Sequence, residues 1–331
     1  TKAFDTVSRP ALWAILSRFG CPPKFVCMIR AFHKGMMARV IENGDVSEPF
    51  PVSNGVKQGC VLAPTLFSLI FSVMLGSALS GSDDGILIRF RTDGKFFDLR
   101  RLQARTKVKE ALLRDFLFAD DCAIAAPSEA ALQRLADHLS SATKAFGLTI
   151  SIKKTEVLCQ PAPKTTTPAP YITIDGAKLN CVDHFCYLGS NLSADGSLDK
   201  EITCRMSKAS RSFGQLQSRV WRARGISSQT KIAVYRAIVL PSLLYACETW
   251  TCYRRHLKQL DQFHLRCLRK ILGISWEERV TNQDVLRRAN LSGIEAMIYA
   301  AQLRWSGHVM HMHDNPIPEE IFCSELVAGK R

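Results

Sequence analysis

Two adjacent carboxylates, Asp120 and Asp121, stand between two short apolar runs at residues 116–119 and 122–125. The runs have the aromatic and β-branched character of strands, and Asp-Asp suits the tight turn of a hairpin. Such a hairpin holds two negative charges side by side, and like charges repel unless a cation compensates them. The stretch therefore predicts a divalent metal site, most simply for Mg²⁺, which proteins hold through one or two carboxylates. A solvated turn without a ligand is the alternative.

The charge of the chain is unevenly distributed. The 331 residues are enough for two domains and carry a formal net charge of +14. Residues 200–276 hold 15 basic side chains against three acidic ones. A basic excess in one segment is the expected footprint of a polyanion-binding surface, and a generally basic surface is the alternative. Because the sequence changes character after Ser197, we predict one domain over residues 1–197 and a second over residues 198–331.

Residues 58–82 contain no charged side chain, which raises the question of a membrane segment. Pro64, glycines and serines dilute the run, and its apolar core at residues 66–75 is shorter than the ~20 residues of a membrane span. We therefore predict a buried helix entered through a turn at Pro64, and no membrane segment. Twelve cysteines without a signal peptide indicate reduced thiols in an intracellular setting.

Apolar periodicity, caps and turn residues predict the secondary structure of the remaining chain. The predicted helices span approximately residues 10–19, 24–33, 66–75, 129–146, 199–222, 228–246, 253–272, 283–289 and 294–307. The predicted strands include residues 37–41, 50–56, 86–90, 96–99, 148–152, 171–174 and 185–190, and residues 1–7 are expected to form the end of a strand.

Five short motifs, taken in order, resemble the palm motifs of the reverse transcriptases of non-LTR (LINE-type) retrotransposons. They are Lys-Ala-Phe-Asp at 2–5, Gln-Gly-Cys-Val-Leu-Ala-Pro at 58–64, Phe-Ala-Asp-Asp at 118–121, Gly-Leu-Thr-Ile at 147–150 with Lys-Thr at 154–155, and Tyr-Leu-Gly at 187–189. Residues 243–250 resemble the thumb region of the same family. The resemblance covers nearly the whole chain. It implies an α+β fold, a right-hand polymerase palm with an antiparallel sheet packed on helices, followed by an all-helical thumb, with the fingers largely missing.

The resemblance also implies the roles of individual residues. Asp120, Asp121 and Lys154 correspond to catalytic positions, and the two acids to ligands of two Mg²⁺ ions, with Mn²⁺ as an alternative metal. The implied nucleotide-binding residues are Phe4, which would exclude a ribose 2′-hydroxyl by its bulk, Gln58 and Gly59. The implied primer grip comprises Tyr187, Leu188 and Gly189. The implied contacts to the nucleic-acid backbone are Arg205, Lys208, Arg211, Arg219, Arg222 and Arg224. The family's first metal-binding Asp would fall two positions before Thr1, and Asp5 is not assigned to the metal.

The function that the resemblance implies is RNA-directed DNA polymerisation, in which a primer is extended on an RNA template. Its partners would be the RNA template, a DNA primer or RNA–DNA hybrid, and deoxynucleoside triphosphates. The resemblance implies a nuclear location and gives no oligomeric state. Two alternatives stay open: a catalytically inactive nucleic-acid-binding remnant of a transposable element, and a related palm enzyme that copies DNA, such as a repair polymerase.

Overall fold

The computed structural model describes residues 3–57, 59–91, 108–161, 168–312, 317–322 and 324–326. Gln58 and the predicted strand at residues 96–99 lie outside these ranges.

Helices occur along the whole described chain and dominate its second part. In chain order they are α1 (Ala3–Thr6), α2 (Arg9–Arg18), α3 (Pro23–His33), α4 (Ala63–Leu79), α5 (Glu129–Ala145), α6 (Asp199–Gln215), α7 (Ser228–Val234), α8 (Leu240–Leu243), α9 (Arg254–Leu272), α10 (Asn282–Ala289), α11 (Ile294–Met310) and α12 (Ile317–Phe322). Two π-helical turns, at Gln217–Trp221 and Tyr235–Val239, and two 3₁₀ turns, at Cys247–Thr249 and Trp276–Glu278, lie among the later helices.

The strands are short, and nearly all of them precede α6. They are β1 (Met37–Ala38), β2 (Ile41–Glu42), β3 (Asp45–Val46), β4 (Phe50–Pro51), β5 (Ile86–Arg91), β6 (Val108–Leu113), β7 (Asp115–Phe118), β8 (Asp121–Ile124), β9 (Glu156–Leu158), β10 (Thr173–Ile174), β11 (Ala177–Lys178), β12 (Asn180–Val182), β13 (His184–Tyr187), β14 (Ser190–Ser193) and β15 (Glu325–Leu326).

Helix α4 is the centre of the N-terminal half. Most of its residues are apolar, and its large apolar side chains are buried or half-buried. The residues that it exposes are Pro64, Thr65, Ser68, Ser72, Gly76 and Ser77. Phe67 and Ile70 pack in one core with Leu12 and Leu16 of α2, whereas Met74 of α4 packs in a second core with α5. The predicted buried helix is confirmed and is longer than its apolar core. No helix within the described ranges is both long and apolar enough to cross a membrane.

The mixed α+β class is confirmed, with a difference in the sheet. Within the described residues the strands form seven sheets of two or three strands in place of one antiparallel sheet. Strand β12 pairs with β9 in parallel, and the other pairs are antiparallel. Strand β5 pairs with β6 and β15, two strands that the sequence pattern did not predict.

Two predicted strands are wrong. Residues 3–6 are helical, and the carbonyl groups of Phe4 and Val7 accept hydrogen bonds from the backbone of Val56 and Gly55. Residues 148–152 form an irregular segment and the start of a turn. The backbone N–H of Leu148 donates back to the carbonyl of Thr143 at the end of α5, which turns the chain away from an extended path. The apolar side chains of this segment still pack into the core.

The helical half has its own apolar core, formed by buried residues between 202 and 298. Two helices predicted as continuous are interrupted. After α6 a π-helical turn lets Trp221 stack on Phe213 with ring centres 4.9 Å apart. Pro241, in the first turn of α8, has no N–H to donate to the preceding turn, and a π-helical turn lies directly before α8.

Candidate active site

Strands β7 and β8 form the acid hairpin, defined as residues 115–124. Phe118 pairs with Asp121 across the hairpin, and the two-residue turn between them consists of Ala119 and Asp120. Ala119 has a φ of 53°, in the left-handed region that a residue with a Cβ rarely adopts. Asp120 therefore lies in the turn, Asp121 begins the returning strand, and both side chains are exposed. The hairpin predicted from the sequence is present, and its turn lies one residue earlier than the predicted Asp-Asp turn.

The acid hairpin rests on the core through one face of β8. Successive residues of a strand point to opposite faces, so Cys122 and Ile124 share a face that excludes Asp121. Both pack against the core shared by α4 and α5. Burial, together with the nearby Asp115 carboxylate, raises the pKa of the Cys122 thiol to about 12, which keeps this thiol neutral. The exposed acids thus lie next to uncharged, partly buried side chains, Cys122 and Ile124, that attach the hairpin to the core.

Strands β13 and β14 form the grip hairpin, defined as residues 184–193. Its turn consists of Leu188 and Gly189, with φ values of 48° and 84°. The hydroxyl of Tyr187 donates a 3.0 Å hydrogen bond to the carbonyl of Phe116 in the acid hairpin. Burial raises the pKa of Tyr187, and the nearby Cys122 and Asp121 raise it further. The structure therefore brings the predicted primer-grip residues beside the predicted metal ligands.

Two side chains of the helical half bind the turn of the grip hairpin. Tyr245 donates a 2.8 Å hydrogen bond from its hydroxyl to the carbonyl of Leu188. Arg205 donates from its guanidinium to the carbonyl of Gly189, and the same guanidinium lies 4.4 Å from the centre of the Tyr245 ring. Side chains of the helical half thus bind both carbonyl groups of the turn.

Phe4 is half-buried and stacks on Phe67 of α4, with ring centres 4.6 Å apart. Its backbone is held by the bond from Val56, just before the segment that carries the predicted nucleotide-binding pair. Of that pair, Gly59 lies in a turn with a φ of 88°, and Gln58 lies outside the described residues. Phe4 therefore packs against the N-terminal core, and its backbone is bonded to the chain two residues before position 58.

Lys154 is exposed in the turn that follows residue 151, and its backbone N–H donates to the carbonyl of Ser151. The neighbouring Lys153 is exposed in the same turn. Among the hydrogen bonds and ion pairs of the described residues, none joins Lys154 to Asp120 or Asp121. The catalytic role of this lysine stays a prediction.

The six basic residues predicted to contact nucleic acid differ in exposure. The exposed ones are Lys208, Arg211, Arg219, Arg222 and Arg224. Arg205 is only 4% exposed, and its guanidinium is bound to Glu201 and to the carbonyl of Gly189. Because this guanidinium is enclosed by the fold, the structure does not support its prediction as a phosphate contact.

The donors at the tip of the acid hairpin fit a hard divalent cation. Asp120 and Asp121 offer carboxylate oxygens in an exposed turn, and Mg²⁺ is commonly held by one or two carboxylates together with substrate phosphates. Within the described ranges no group of three or more His, Cys, Asp or Glu side chains is arranged to hold a metal. The acids of the hairpin thus suit a site that substrate oxygens would complete.

Residues 1–192 match the family model described as Reverse transcriptase (RNA-dependent DNA polymerase). The "RNA-directed DNA polymerase from mobile element jockey" of Drosophila funebris is 26% identical over 283 residues, which cover 84% of this chain and 28% of that protein. The jockey polymerase of Drosophila melanogaster is 23% identical over 285 residues, 84% of this chain and 28% of that protein.

A further relative, of the R2 type, is the "Retrovirus-related Pol polyprotein from type-2 retrotransposable element R2DM" of Drosophila melanogaster. It is 25% identical over 310 residues, 92% of this chain and 26% of that protein. The chain therefore spans less than a third of the length of these three relatives.

More than half of the chain matches one family, and the chain belongs to the reverse transcriptases. Within that family it is related to the enzymes of non-LTR retrotransposons of the jockey and R2 types.

Sequence reasoning missed the roles of Glu201 and Tyr245, which the structure places around the grip hairpin. The spacing of Glu201 and Arg205 by four residues on a helix was a usable signal for an ion pair. Tyr245 lies in the stretch that resembles the thumb region, and its bond to residue 188 has no signature in the local pattern.

Proposed function

We propose that this chain carries the polymerising site of an RNA-directed DNA polymerase, which extends a primer on an RNA template by two-metal nucleotidyl transfer. The observation that carries the proposal is the Tyr187–Phe116 hydrogen bond, because it joins the acid hairpin to the grip hairpin. A carboxylate pair beside a structure that holds a primer end is the arrangement that this reaction requires. Membership of the reverse transcriptase family supports the proposal.

In this proposal Asp120 and Asp121 would hold Mg²⁺, with Mn²⁺ as a substitute. Two such ions would supply activation of the attacking 3′-hydroxyl and stabilisation of the charge on the leaving pyrophosphate. Because both carboxylates are exposed, nucleotide phosphates could approach and share the metal ions that the carboxylates would hold. Lys154 would neutralise or protonate the departing pyrophosphate, with Lys153 as the alternative.

The remaining site residues would select and align the substrates. Phe4, fixed against Phe67, would exclude the ribose 2′-hydroxyl so that deoxynucleoside triphosphates are preferred. Gln58 and Gly59 would contact the incoming nucleotide and the template. The residues of the primer grip, Tyr187 to Gly189, would hold the primer's 3′ end.

The exposed basic residues of α6 and the segment after it would contact the backbone of the template–primer duplex. Lys208 and Arg211 lie on the helix, and Arg219, Arg222 and Arg224 follow it. Contacts of this kind are independent of sequence and sensitive to salt. We also propose a palm with a remnant of the fingers over residues 1–197, and a basic helical thumb with a C-terminal connector over residues 198–331. The separate apolar core of the helical half supports this division.

The test compares Asp120→Asn with the unsubstituted protein in a polypeptide that includes the upstream Asp expected from the first motif. Primer extension is measured on a primed RNA template with deoxynucleotides and Mg²⁺. We expect Asp120→Asn to lower extension about a thousandfold, since the metals supply several kcal/mol of transition-state stabilisation. The matched control is Asp83→Asn, an exposed acid in the loop before β5, which should retain full extension.

Equal extension by Asp120→Asn and the unsubstituted protein would show that the site is wrongly assigned. Salt-dependent binding to primed template without any incorporation would favour the second function, a nucleic-acid-binding remnant of a transposable element. Faster extension on a DNA template than on RNA would favour a DNA-copying palm enzyme.

A further inference from the structure

Glu201 and Arg205 form a buried ion pair on the first turns of α6. Their side chains are 2% and 5% exposed, and the guanidinium Nε of Arg205 lies 2.5 Å from Oε1 of Glu201. The second carboxylate oxygen of Glu201 accepts hydrogen bonds of 2.8 and 2.9 Å from the backbone N–H and side-chain amide of Asn191, in β14. A charge pair removed from water is costly unless its remaining donors and acceptors are bonded. Here those bonds go to the grip hairpin.

The Arg205 guanidinium extends the pair to the turn itself. It donates to the carbonyl of Gly189 while its face lies over the ring of Tyr245. Tyr245 in turn donates to the carbonyl of Leu188. Two consecutive carbonyl groups of a two-residue turn are therefore each bonded to a side chain of the helical half.

The residue directly before this turn, Tyr187, is bonded to Phe116 of the acid hairpin. The turn and the residue before it are consequently bonded both to the acid hairpin and to side chains of the helical half. Because both residues of the turn have a positive φ, their backbone has few alternative conformations once these carbonyls are bonded.

We propose that Arg205 and Tyr245 are positioning residues, which set the orientation of the Leu188–Gly189 turn relative to the acids of the hairpin and so align the primer end for reaction. The inference rests on the proposed polymerase function and assigns to Arg205 a role different from phosphate binding. Reaction rates depend steeply on such alignment, since an error of about 1 Å can cost about a hundredfold.

The experiment uses Tyr245→Phe, which removes the hydroxyl and keeps the ring beneath Arg205. Single-turnover incorporation from pre-bound primer and template is measured together with the dissociation constant of the primer–template and the melting temperature. We expect the rate of the bound complex to fall about fivefold, the effect of one hydrogen bond, while primer–template affinity changes less than about twofold. A residue with only a structural role would lower the melting temperature without changing the rate of the folded fraction.

A second variant, Arg205→Lys, keeps the positive charge beside Glu201 and removes the planar fork that reaches the carbonyl of Gly189. This variant should also lower the rate of single-turnover incorporation by the bound complex. The matched control is Tyr299→Phe, on α11, where the ring lines a separate cavity beside Trp250 and Gln302. This control should leave both rate and affinity unchanged.

Hydrogen exchange of residues 184–193 in the free protein provides a readout independent of polymerisation. Exchange should be faster in both variants than in the unsubstituted protein. Unchanged exchange, an unchanged rate in both variants, or a slower reaction explained entirely by weaker primer–template binding would each overturn the inference. Any of these results excludes only the positioning role if the unsubstituted protein extends the primer and Asp120→Asn does not. If Asp120→Asn extends normally, the proposed function itself fails.

Discussion

Tyr187 and Phe116 are 71 residues apart in the chain, and the phenolic hydroxyl of the first donates a 3.0 Å hydrogen bond to the backbone carbonyl of the second. The bond joins two small hairpins that share no strand pairing in the described sheets. Such hairpins are only marginally stable in isolation, so their mutual position depends on contacts of this kind. A site divided between them is therefore sensitive to changes that touch neither carboxylate.

The size of Phe4 leads to a prediction about sugar selection. Phe4→Val should increase incorporation of ribonucleotides relative to deoxynucleotides by about tenfold or more, because the smaller side chain leaves space for a 2′-hydroxyl. The measurement is the ratio of kcat/KM values for the two nucleotides on one primed RNA template. Phe71→Val is the matched control, since Phe71 also stacks on Phe67 and its truncation has a similar packing cost. An equal change in both variants would contradict a specific role of Phe4 in sugar selection.

The two adjacent lysines after α5 allow a paired comparison. Lys154→Ala should lower kcat about a hundredfold if its ammonium protonates or neutralises the leaving group, whereas Lys153→Ala should change it less than about threefold. Both side chains are exposed, so neither change should affect folding. Rapid-quench kinetics would measure the rates. The reverse order of the two effects would assign the role to Lys153.

The exposed basic residues of α6 should contribute to salt-dependent binding. In Lys208→Gln/Arg211→Gln we expect the slope of log K against log salt concentration to fall by about 0.9 for each phosphate that the protein no longer neutralises. Fluorescence anisotropy with an RNA–DNA hybrid at several salt concentrations measures the slope. Lys24→Gln, which replaces an exposed lysine of α3, should leave it unchanged. Equal slopes in all three proteins would place the interface elsewhere.

His264 predicts reduced stability in acid. The side chain is 0% exposed, and burial lowers its pKa to about 4, partly opposed by Asp261. An unfolded histidine has a pKa of about 6.5, so the unfolded chain binds more protons between these values. The contribution of His264 to the free energy of unfolding is therefore fully present above pH ~6.5. It is lost, by about 3 kcal/mol in total, as the pH falls towards 4.

The control for this prediction is a second histidine. Urea unfolding between pH 4.5 and 7.5 should show a shallower pH dependence in His264→Gln than in the unsubstituted protein. The exposed His308→Gln should keep the original dependence. An unchanged slope in His264→Gln would mean that other groups cause the acid sensitivity.

Both the backbone conformation and the neighbouring atoms require a glycine at position 55. Its φ is 81°, and an added Cβ would lie 2.6 Å from the carbonyl oxygen of Asp5. Gly55→Ala should lower the free energy of unfolding by ~3 kcal/mol or more, from backbone strain together with the clash. Gly44 also has a positive φ but open space around it, so Gly44→Ala should cost only ~1 kcal/mol. Denaturant unfolding compares the two, and equal costs would exclude the clash.

Short-range patterns predicted most of the elements that position the site. The turn chemistry of Asp120 and Asp121 and the periodicity of α5 are local properties, and the corresponding hairpin and helix are present. The strand predicted at residues 148–152 is absent, because its apolar residues pack into the core from an irregular segment. Alternation of apolar residues reports burial, but pairing requires a neighbouring strand at the right distance.

The sequence by itself determined the acidic hairpin, the uncharged core helix α4, the basic character of residues 200–276 and, through its ordered motifs, the family. The tertiary structure alone decided which basic residues are exposed and which one is enclosed. Arg205 and Lys208 are three residues apart on one helix, yet the first is buried against Glu201, Gly189 and Tyr245 and the second is exposed. The physical reason is that burial of a charge depends on partners brought together from distant parts of the chain, and local spacing carries no information about them.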